Sequence, residues 1–167
     1  MEKEITEVYC GNGRGKTTLA IGQALRASSQ GKSVIIIQFL KGNERRELDF
    51  LEELDQLDIK IFRFEKMESC YDQLNEEEQA EEERNILNGL NYARKVIATQ
   101  ECDFLVLDEI LGLLDKHIAT VDMVVGLLKQ KDESMHLILT GNRVDPGILD
   151  YVDSVTTITT LGREQNS

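Results

Sequence analysis

Three short stretches of the chain each contain a run of apolar residues that no polar residue interrupts. They read SVIIIQFL at residues 33–40, CDFLVLDE at 102–109 and MHLILTGN at 135–142. A strand with one face in water alternates polar and apolar side chains, whereas a strand covered on both faces does not need to. The three stretches therefore predict a parallel sheet between two layers of helices, and each is far shorter than the ~20 residues of a membrane span.

Helical patterns separate these stretches from three further strand patterns. The further strands are expected at residues 5–10, 58–64 and 154–161, and the helices at 17–29, 43–57, 76–99, 121–131 and from Pro146 onwards. Residues 65–75 have no clear period and are expected to form a loop. Strands that alternate with helices are typical of a three-layer α/β domain. We expect one domain, residues 1–167, with a mostly parallel sheet of about six strands, because no repeat or linker interrupts the chain.

A glycine-rich turn joins the first strand to the first helix and reads YCGNGRGKTT at residues 9–18. The usual phosphate-binding pattern is a glycine, four free positions and Gly-Lys-Ser/Thr, so it requires glycine where this chain has Cys10. Glycines let the backbone turn several N–H groups towards one anion. The following helix adds the partial positive charge of its N-terminus. The turn therefore predicts a nucleotide-phosphate site despite its altered first position.

The roles of the side chains in this loop follow from the same pattern. Lys16 is expected to bridge phosphate oxygens, Thr17 to place its hydroxyl on Mg²⁺, and Arg14 to add positive charge at the rim. A plain glycine turn would explain the glycines, but not Gly-Lys-Thr-Thr at the start of a helix that directly follows a strand. The predicted ATP-binding residues of the loop are Gly11, Gly13, Arg14, Gly15, Lys16, Thr17 and Thr18.

A second motif, FLVLDE at residues 104–109, resembles a Walker B segment. Acidic side chains at the end of a buried strand can hold Mg²⁺ directly or through water. Asp108 and Glu109 are therefore candidate metal ligands together with Thr17, and we favour Glu109 over Asp108. The candidate catalytic residues are Lys16, Thr17 and Glu109.

These motifs leave the reaction open. An ordinary kinase of this class adds arginines in a lid, but the stretch after the second motif, ILGLLDKHIATVD, has none, and Arg143 is a single candidate. The formal net charge of −12 disfavours nucleic acid and anionic membranes as partners, because phosphate groups repel such a surface. The first residues are polar and acidic, unlike a signal peptide, so we expect a cytoplasmic protein.

Four linked motifs, taken together, resemble one enzyme family. The chain carries YCGNGRGKTTLAIGQALRA, GKSVIIIQFLKG, DFLVLDEI and LILTGNRVDPGILDYVDSVTTI in that order. From about residue 8 to residue 157 this arrangement is similar to the ATP:corrinoid adenosyltransferases with a RecA-like P-loop fold. That family commonly has a non-glycine residue, often threonine, at the position of Cys10, so the altered loop is an expected feature.

The resemblance implies that ATP binds in the reverse sense to that of ordinary P-loop enzymes, with its ribose 5′ carbon exposed. The Co(I) of a reduced corrinoid would attack that carbon, form a Co–C bond and expel tripolyphosphate. The work of the protein would be to position the substrates and to neutralise the leaving group. The resemblance also implies a homodimer, and a reductase that supplies electrons is a candidate partner.

Further ATP-binding residues are taken from the resemblance and from their places on the sheet. Asn12 would contact the nucleoside. Arg26 and Lys41 match basic positions of the family, and Asn142 lies in its Thr-Gly-Arg/Asn segment. Gln38 and Lys41 lie at the carboxyl end of a strand, where open α/β sheets bind their ligands.

The chain departs from the family in the loop before the long helix. Family members usually carry a Phe-x-Trp pair there, which is associated with closing over the corrinoid and displacing its lower ligand. This chain has no tryptophan, and its loop reads EKMESCYDQLNEEE, with Tyr71 as the only aromatic residue. Two alternatives therefore stay open: a P-loop phosphotransferase or ATPase, which would release ADP, and a module that binds ATP or a corrinoid without reaction.

Overall fold

A computed structural model describes residues 3–40, 48–64 and 69–162 of the chain. Its six strands form one sheet in the order β3-β2-β4-β5-β1-β6, and every described pairing is parallel. The strands are β1 (Thr6–Cys10), β2 (Val34–Gln38), β3 (Ile59–Arg63), β4 (Phe104–Asp108), β5 (His136–Thr140) and β6 (Ser154–Thr157). The prediction of a mostly parallel six-stranded sheet is confirmed.

Helices connect the strands, as parallel pairing requires. They are α1 (Lys16–Ser29), α2 (Asp49–Glu52), α3 (Glu76–Thr99), α4 (Ile110–Asp115), α5 (Val121–Gln130) and α6 (Pro146–Leu149), with a 3-10 turn at Tyr71–Gln73. The long helix α3 has the predicted bounds, and Asn75 and Glu78 form a capping box that fixes its start. At α6, Asp145 accepts the N–H of Gly147 and Pro146 occupies the first turn.

Apolar side chains cover both faces of the sheet. Successive residues of β2 point to opposite faces, so that Ile35 and Ile37 enter one cluster while Val34 and Ile36 enter the other. The first cluster includes residues of α3, α4, α5 and α6, and the second includes residues of α1 and α2. This is the three-layer arrangement that the uninterrupted apolar runs predicted.

Two expectations for the secondary structure were wrong, and one helix was not predicted. A helix was expected over residues 43–57, but the described part contains only the four residues of α2, and residues 53–57 are turns and bends. Residues 43–47 lie outside the described residues. The helix α4 was not predicted, because six residues are too few to show a helical period. The last strand also ends at Thr157, well before residue 161.

No helix in the described part of the chain is long and apolar enough to cross a membrane.

Candidate functional site

The glycine-rich loop connects β1 to α1 at the carboxyl edge of the sheet. Cys10 is a regular residue of β1 that pairs with Thr157 of β6, and its side chain is buried. The backbone reaches a left-handed conformation only at the next residue, Gly11, with φ of 111°. Glycine is therefore not needed at position 10, because an ordinary L-residue adopts strand dihedral angles without strain.

The ammonium group of Lys16 lies across this loop. Its Nζ donates to the carbonyl oxygens of Gly11 at 2.6 Å and Gly13 at 3.2 Å, and to Oδ1 of Asn142 at 3.2 Å. Asn142 also accepts the N–H of Gly11 through its backbone oxygen at 2.7 Å. The loop, the lysine and the segment after β5 therefore form one connected unit.

The N-terminus of α1 is open to an anion. Gly15 is its N-cap residue with φ of 100°, and among the described residues no side chain caps the helix. The first turn contains Lys16 and no acidic residue. Because the first N–H groups of a helix lack partners within it, this end attracts a negatively charged group.

Asp108, the last residue of β4, is fully buried beside the start of α1. Its Oδ1 accepts hydrogen bonds from the hydroxyls of Thr17 at 2.9 Å and Thr140 at 2.7 Å. Its Oδ2 accepts one from Nε2 of Gln38 at 3.1 Å. These three hydrogen bonds orient the carboxylate beside the glycine-rich loop.

The residues present fit Mg²⁺. A buried carboxylate and a threonine hydroxyl at the start of the loop helix are hard oxygen donors of the kind that this ion prefers. Thr17 and Asp108 form such a pair at 2.9 Å. Glu109 has a different place: it precedes α4 in a left-handed conformation, with φ of 64°, and its N–H donates to Oγ1 of Thr140 at 2.7 Å. Of the two predicted acids, Asp108 is therefore the one that directly contacts Thr17.

The other predicted ATP-binding residues differ in their contacts and in their exposure around the Thr17–Asp108 pair. Gln38 is buried, and its amide links Asp108 to Nε of Arg63, so that it supports the carboxylate. Arg26 is exposed on α1 and borders a groove that also includes Arg14. Asn12 and Thr18 are exposed in the loop and in the first turn of α1. Lys41 lies outside the described residues.

Four residues that contact this site or the glycine-rich loop were not predicted from the sequence. Thr140 and Arg63 come from strand ends, and their polar side chains at the carboxyl edge were an available signal. Ile158 and Thr160 follow β6 and contact the glycine-rich loop through Gly13 and Arg14. No sequence pattern indicated those contacts, because they join the two ends of the chain.

A pocket of about 450 Å³, here called the edge pocket, opens beside this centre. Its lining residues are Leu40, Tyr71, Asp72, Glu109, Gly112, Asp115, Lys116 and Asn142. Asn142 also contacts the ammonium group of Lys16, so the pocket adjoins the glycine-rich loop. The volume is in the range of sites for small organic ligands.

Polar contacts hold Tyr71 and Asp72, which precede α3 and form one wall of the edge pocket. Nζ of Lys116 donates to both carboxylate oxygens of Asp72, at 2.8 and 2.7 Å, and lies 5.7 Å from the ring centre of Tyr71. The hydroxyl of Tyr71 donates to Glu83 of α3. Burial, followed by the hydrogen bond to Glu83 and its charge, raises the pKa of Tyr71 to about 12.

The fold resembles that of a KaiC-like protein from Pyrococcus horikoshii. The TM-score is 0.62 at 20% sequence identity, and the match covers 93% of this chain and 71% of that one. This likeness agrees with the P-loop architecture of the sheet and loop described above.

Sequence relatives extend over most of the chain. It is 30% identical over 160 residues to the corrinoid adenosyltransferase of Escherichia coli, with 93% of this chain and 76% of the relative covered. It is 28% identical to the corrinoid adenosyltransferase CobA of Salmonella typhimurium, with the same coverage. A family model for ATP:corrinoid adenosyltransferases of the BtuR/CobO/CobP type matches residues 2–165. The chain, with its P-loop after β1 and its buried Asp108 at the end of β4, belongs to the ATP:corrinoid adenosyltransferase family.

Proposed function

We propose that the protein transfers the 5′-deoxyadenosyl group of ATP to the Co(I) of a reduced corrinoid and releases tripolyphosphate. Membership of the family supports adenosylation of a corrinoid with ATP. The observation that carries the finer proposal is the open N-terminus of α1, with Lys16 and the Thr17–Asp108 pair beside it. This arrangement suits a phosphate chain.

The electrons balance without a protein nucleophile. The electron pair of Co(I) forms the Co–C5′ bond, and the C5′–O bond breaks with its electron pair remaining on tripolyphosphate. The negative charge that develops on the leaving group must be neutralised. The protein accelerates such a step by holding the two reactants in line and by stabilising that charge.

Residues of the loop would stabilise the leaving group. Lys16 is held over the loop by contacts to carbonyl and amide oxygens of Gly11, Gly13 and Asn142, which phosphate oxygens can replace. Thr17 and Asp108 would hold Mg²⁺, directly or through water, and that ion would supply further positive charge to the phosphates. Thr140 and Gln38 would keep the carboxylate of Asp108 in its orientation.

We assign the edge pocket to the reacting end of ATP and to the face of the corrinoid. The assignment is supported by the contact between Lys16 and Asn142, which connects the phosphate-binding loop to the pocket. Leu40 and Tyr71 give it an apolar and aromatic wall. A nucleoside or the face of a large ring can pack against this wall, and its polar groups can contact the charged residues of the lining, Asp72, Glu109, Asp115 and Lys116.

The family resemblance suggests a homodimer, which we propose together with a reductase that supplies electrons. We also propose a single domain and a cytoplasmic location, on the sequence patterns described above. The dimer can be tested by light scattering of the purified chain at several concentrations. A mass equal to the monomer mass of 19.0 kDa throughout would refute the homodimer.

An anaerobic assay tests the adenosyl transfer. The protein is mixed with ATP, Mg²⁺ and chemically reduced cobalamin, the Co(I) absorbance is followed, and tripolyphosphate is measured. We expect loss of Co(I) with an equal amount of tripolyphosphate and a light-sensitive product. Lys16→Ala should abolish turnover, while Lys60→Ala, at an exposed position of the edge strand β3, should leave it unchanged.

The same assay separates the alternatives. Release of ADP, with or without the corrinoid, would select a phosphotransferase or ATPase. ATP that binds without any product, while Co(I) persists, would select a binding module for cobalamin and would refute the catalytic proposal for that corrinoid.

A further inference from the structure

The chain beyond β6 runs along the outside of the glycine-rich loop. We call residues 158–160 the C-terminal strap. The N–H of Ile158 donates to the carbonyl oxygen of Cys10 at 2.8 Å, and its own carbonyl accepts the N–H of Gly13 at 2.9 Å. The hydroxyl oxygen of Thr160 accepts the N–H of Arg14 at 2.8 Å. The strap therefore binds two consecutive amides of the loop.

The glycines of the loop show how closely the strap approaches. A Cβ atom at Gly11 would lie 2.3 Å from the carbonyl oxygen of Ile158, and one at Gly13 would lie 2.6 Å from the same oxygen. Neither position can carry a side chain unless the backbone of the strap moves. A Cβ atom at Gly15 would meet nothing within 4 Å, so only its φ of 100° favours glycine there. Two of the three loop glycines thus make room for the strap.

This arrangement alters which amides can face an anion. In an ordinary P-loop the backbone N–H groups of the loop surround the phosphates. Here the N–H groups of Gly13 and Arg14 are directed to Ile158 and Thr160. The anion-binding part of the backbone is therefore the end that begins at Gly15, together with the first turn of α1.

We infer that Thr160 is a positioning residue for the phosphate chain of ATP. It acts through the amide of Arg14 and has no contact with the substrate itself. The strap holds the amide of Arg14 towards Thr160 and so fixes the path of the loop into α1. The phosphates are thereby confined to the end of the loop that leads into the helix. The inference rests on the proposed function, because it requires that this loop binds the phosphates of ATP.

Calorimetry with ATP and with tripolyphosphate, both with Mg²⁺, tests this role without any corrinoid. Thr160→Val removes the acceptor but keeps the shape of the side chain, and we expect it to weaken the binding of both ligands about fivefold. Thr160→Ser should bind as the unaltered protein does. Thr159→Val is the matched control at a neighbouring exposed position, and we expect no change.

Thr160→Ala provides a second variant, because it removes the hydroxyl of Thr160 and retains the backbone of the strap. It should weaken the binding of both ligands to the same extent as Thr160→Val does, and the melting temperature should stay nearly unchanged. Unchanged or tighter binding of tripolyphosphate to Thr160→Val would overturn the inference, as would a loss of affinity for ATP alone. If the unaltered protein bound neither ligand, the proposed function itself would fail and the inference with it.

Discussion

The hydroxyl of Thr17 donates a hydrogen bond of 2.9 Å to Oδ1 of Asp108, across 91 residues of sequence. The same oxygen accepts the hydroxyl of Thr140, and the other carboxylate oxygen accepts the amide of Gln38. Three strand ends and the loop helix therefore meet at one buried carboxylate. Such a carboxylate can orient a metal ion only while its partners keep it in place.

Asp108→Asn should impair the reaction far more than Glu109→Gln. The side-chain amide of the asparagine would place an NH₂ group against the hydroxyl or amide donors that now contact the carboxylate. It would also remove the negative charge that the proposed Mg²⁺ needs. We expect kcat/KM to fall about a hundredfold for Asp108→Asn and less than about tenfold for Glu109→Gln. The measurement is initial rate against Mg²⁺ concentration, in which Asp108→Asn should also shift half-saturation upwards. The reverse order of the two variants would identify Glu109 as the ligand.

Tyr71→Ala should raise KM for the corrinoid about tenfold and KM for ATP much less, because the ring forms a wall of the edge pocket whereas the phosphates of ATP are assigned to the glycine-rich loop. Tyr71→Phe is the matched control: it keeps the ring and removes only the hydrogen bond to Glu83. Steady-state kinetics with each substrate varied in turn would separate the two affinities. A rise in KM for ATP instead would show that this wall serves the nucleoside.

Gly141→Ala should lower the free energy of unfolding by about 1–3 kcal/mol. A Cβ atom at Gly141 would lie 2.4 Å from Cβ of Leu111, so the start of α4 would have to move. Gly126→Ala is the control, since a Cβ atom there meets nothing within 4 Å in the exposed middle of α5. It should stabilise the protein by about 0.5–1 kcal/mol, because alanine favours a helix. Urea unfolding measures both, and equal effects of the two variants would contradict the packing argument.

Glu4 should contribute more to stability at neutral pH than in acid. The hydrogen bond from Lys32 at 2.7 Å lowers the pKa of this carboxyl, burial opposes the shift, and His136 lowers the pKa further. Because the pKa is lower in the folded chain, the unfolded chain takes up the proton first as the pH falls. The contribution is therefore present above the usual glutamate pKa of about 4.3 and is lost as the pH falls through the lower folded value.

Glu4→Gln measures that contribution. We expect it to destabilise the protein at pH 7 by less than about 1 kcal/mol, since the side chain is 29% exposed, and by a smaller amount in acid near pH 3. Glu133→Gln is the control, because its pair with Lys3 is 3.5 Å long and mostly exposed. Denaturant unfolding at both pH values gives the result. A destabilisation that persisted unchanged in acid would refute the linkage.

The local sequence determined the sheet, its long helix and the place of the loop. Uninterrupted apolar runs such as FLVL favour strands covered on both faces, and the capping box at Asn75 fixes where α3 begins. Gly-Lys-Thr-Thr after a strand likewise predicts a phosphate site from local spacing alone. These signals are local, because they depend on spacing within one turn or one strand.

The tertiary structure decided the choices that depend on residues far apart in the chain. It brought Asp108, rather than the favoured Glu109, into contact with Thr17, because the strand ends at Asp108 and the backbone then turns left-handed at Glu109. It also showed a further reason for glycine at positions 11 and 13, the close approach of Ile158. Parallel pairing of β1 with β6 brings the two ends of the chain together at the loop, and no local pattern records which segments a sheet makes neighbours.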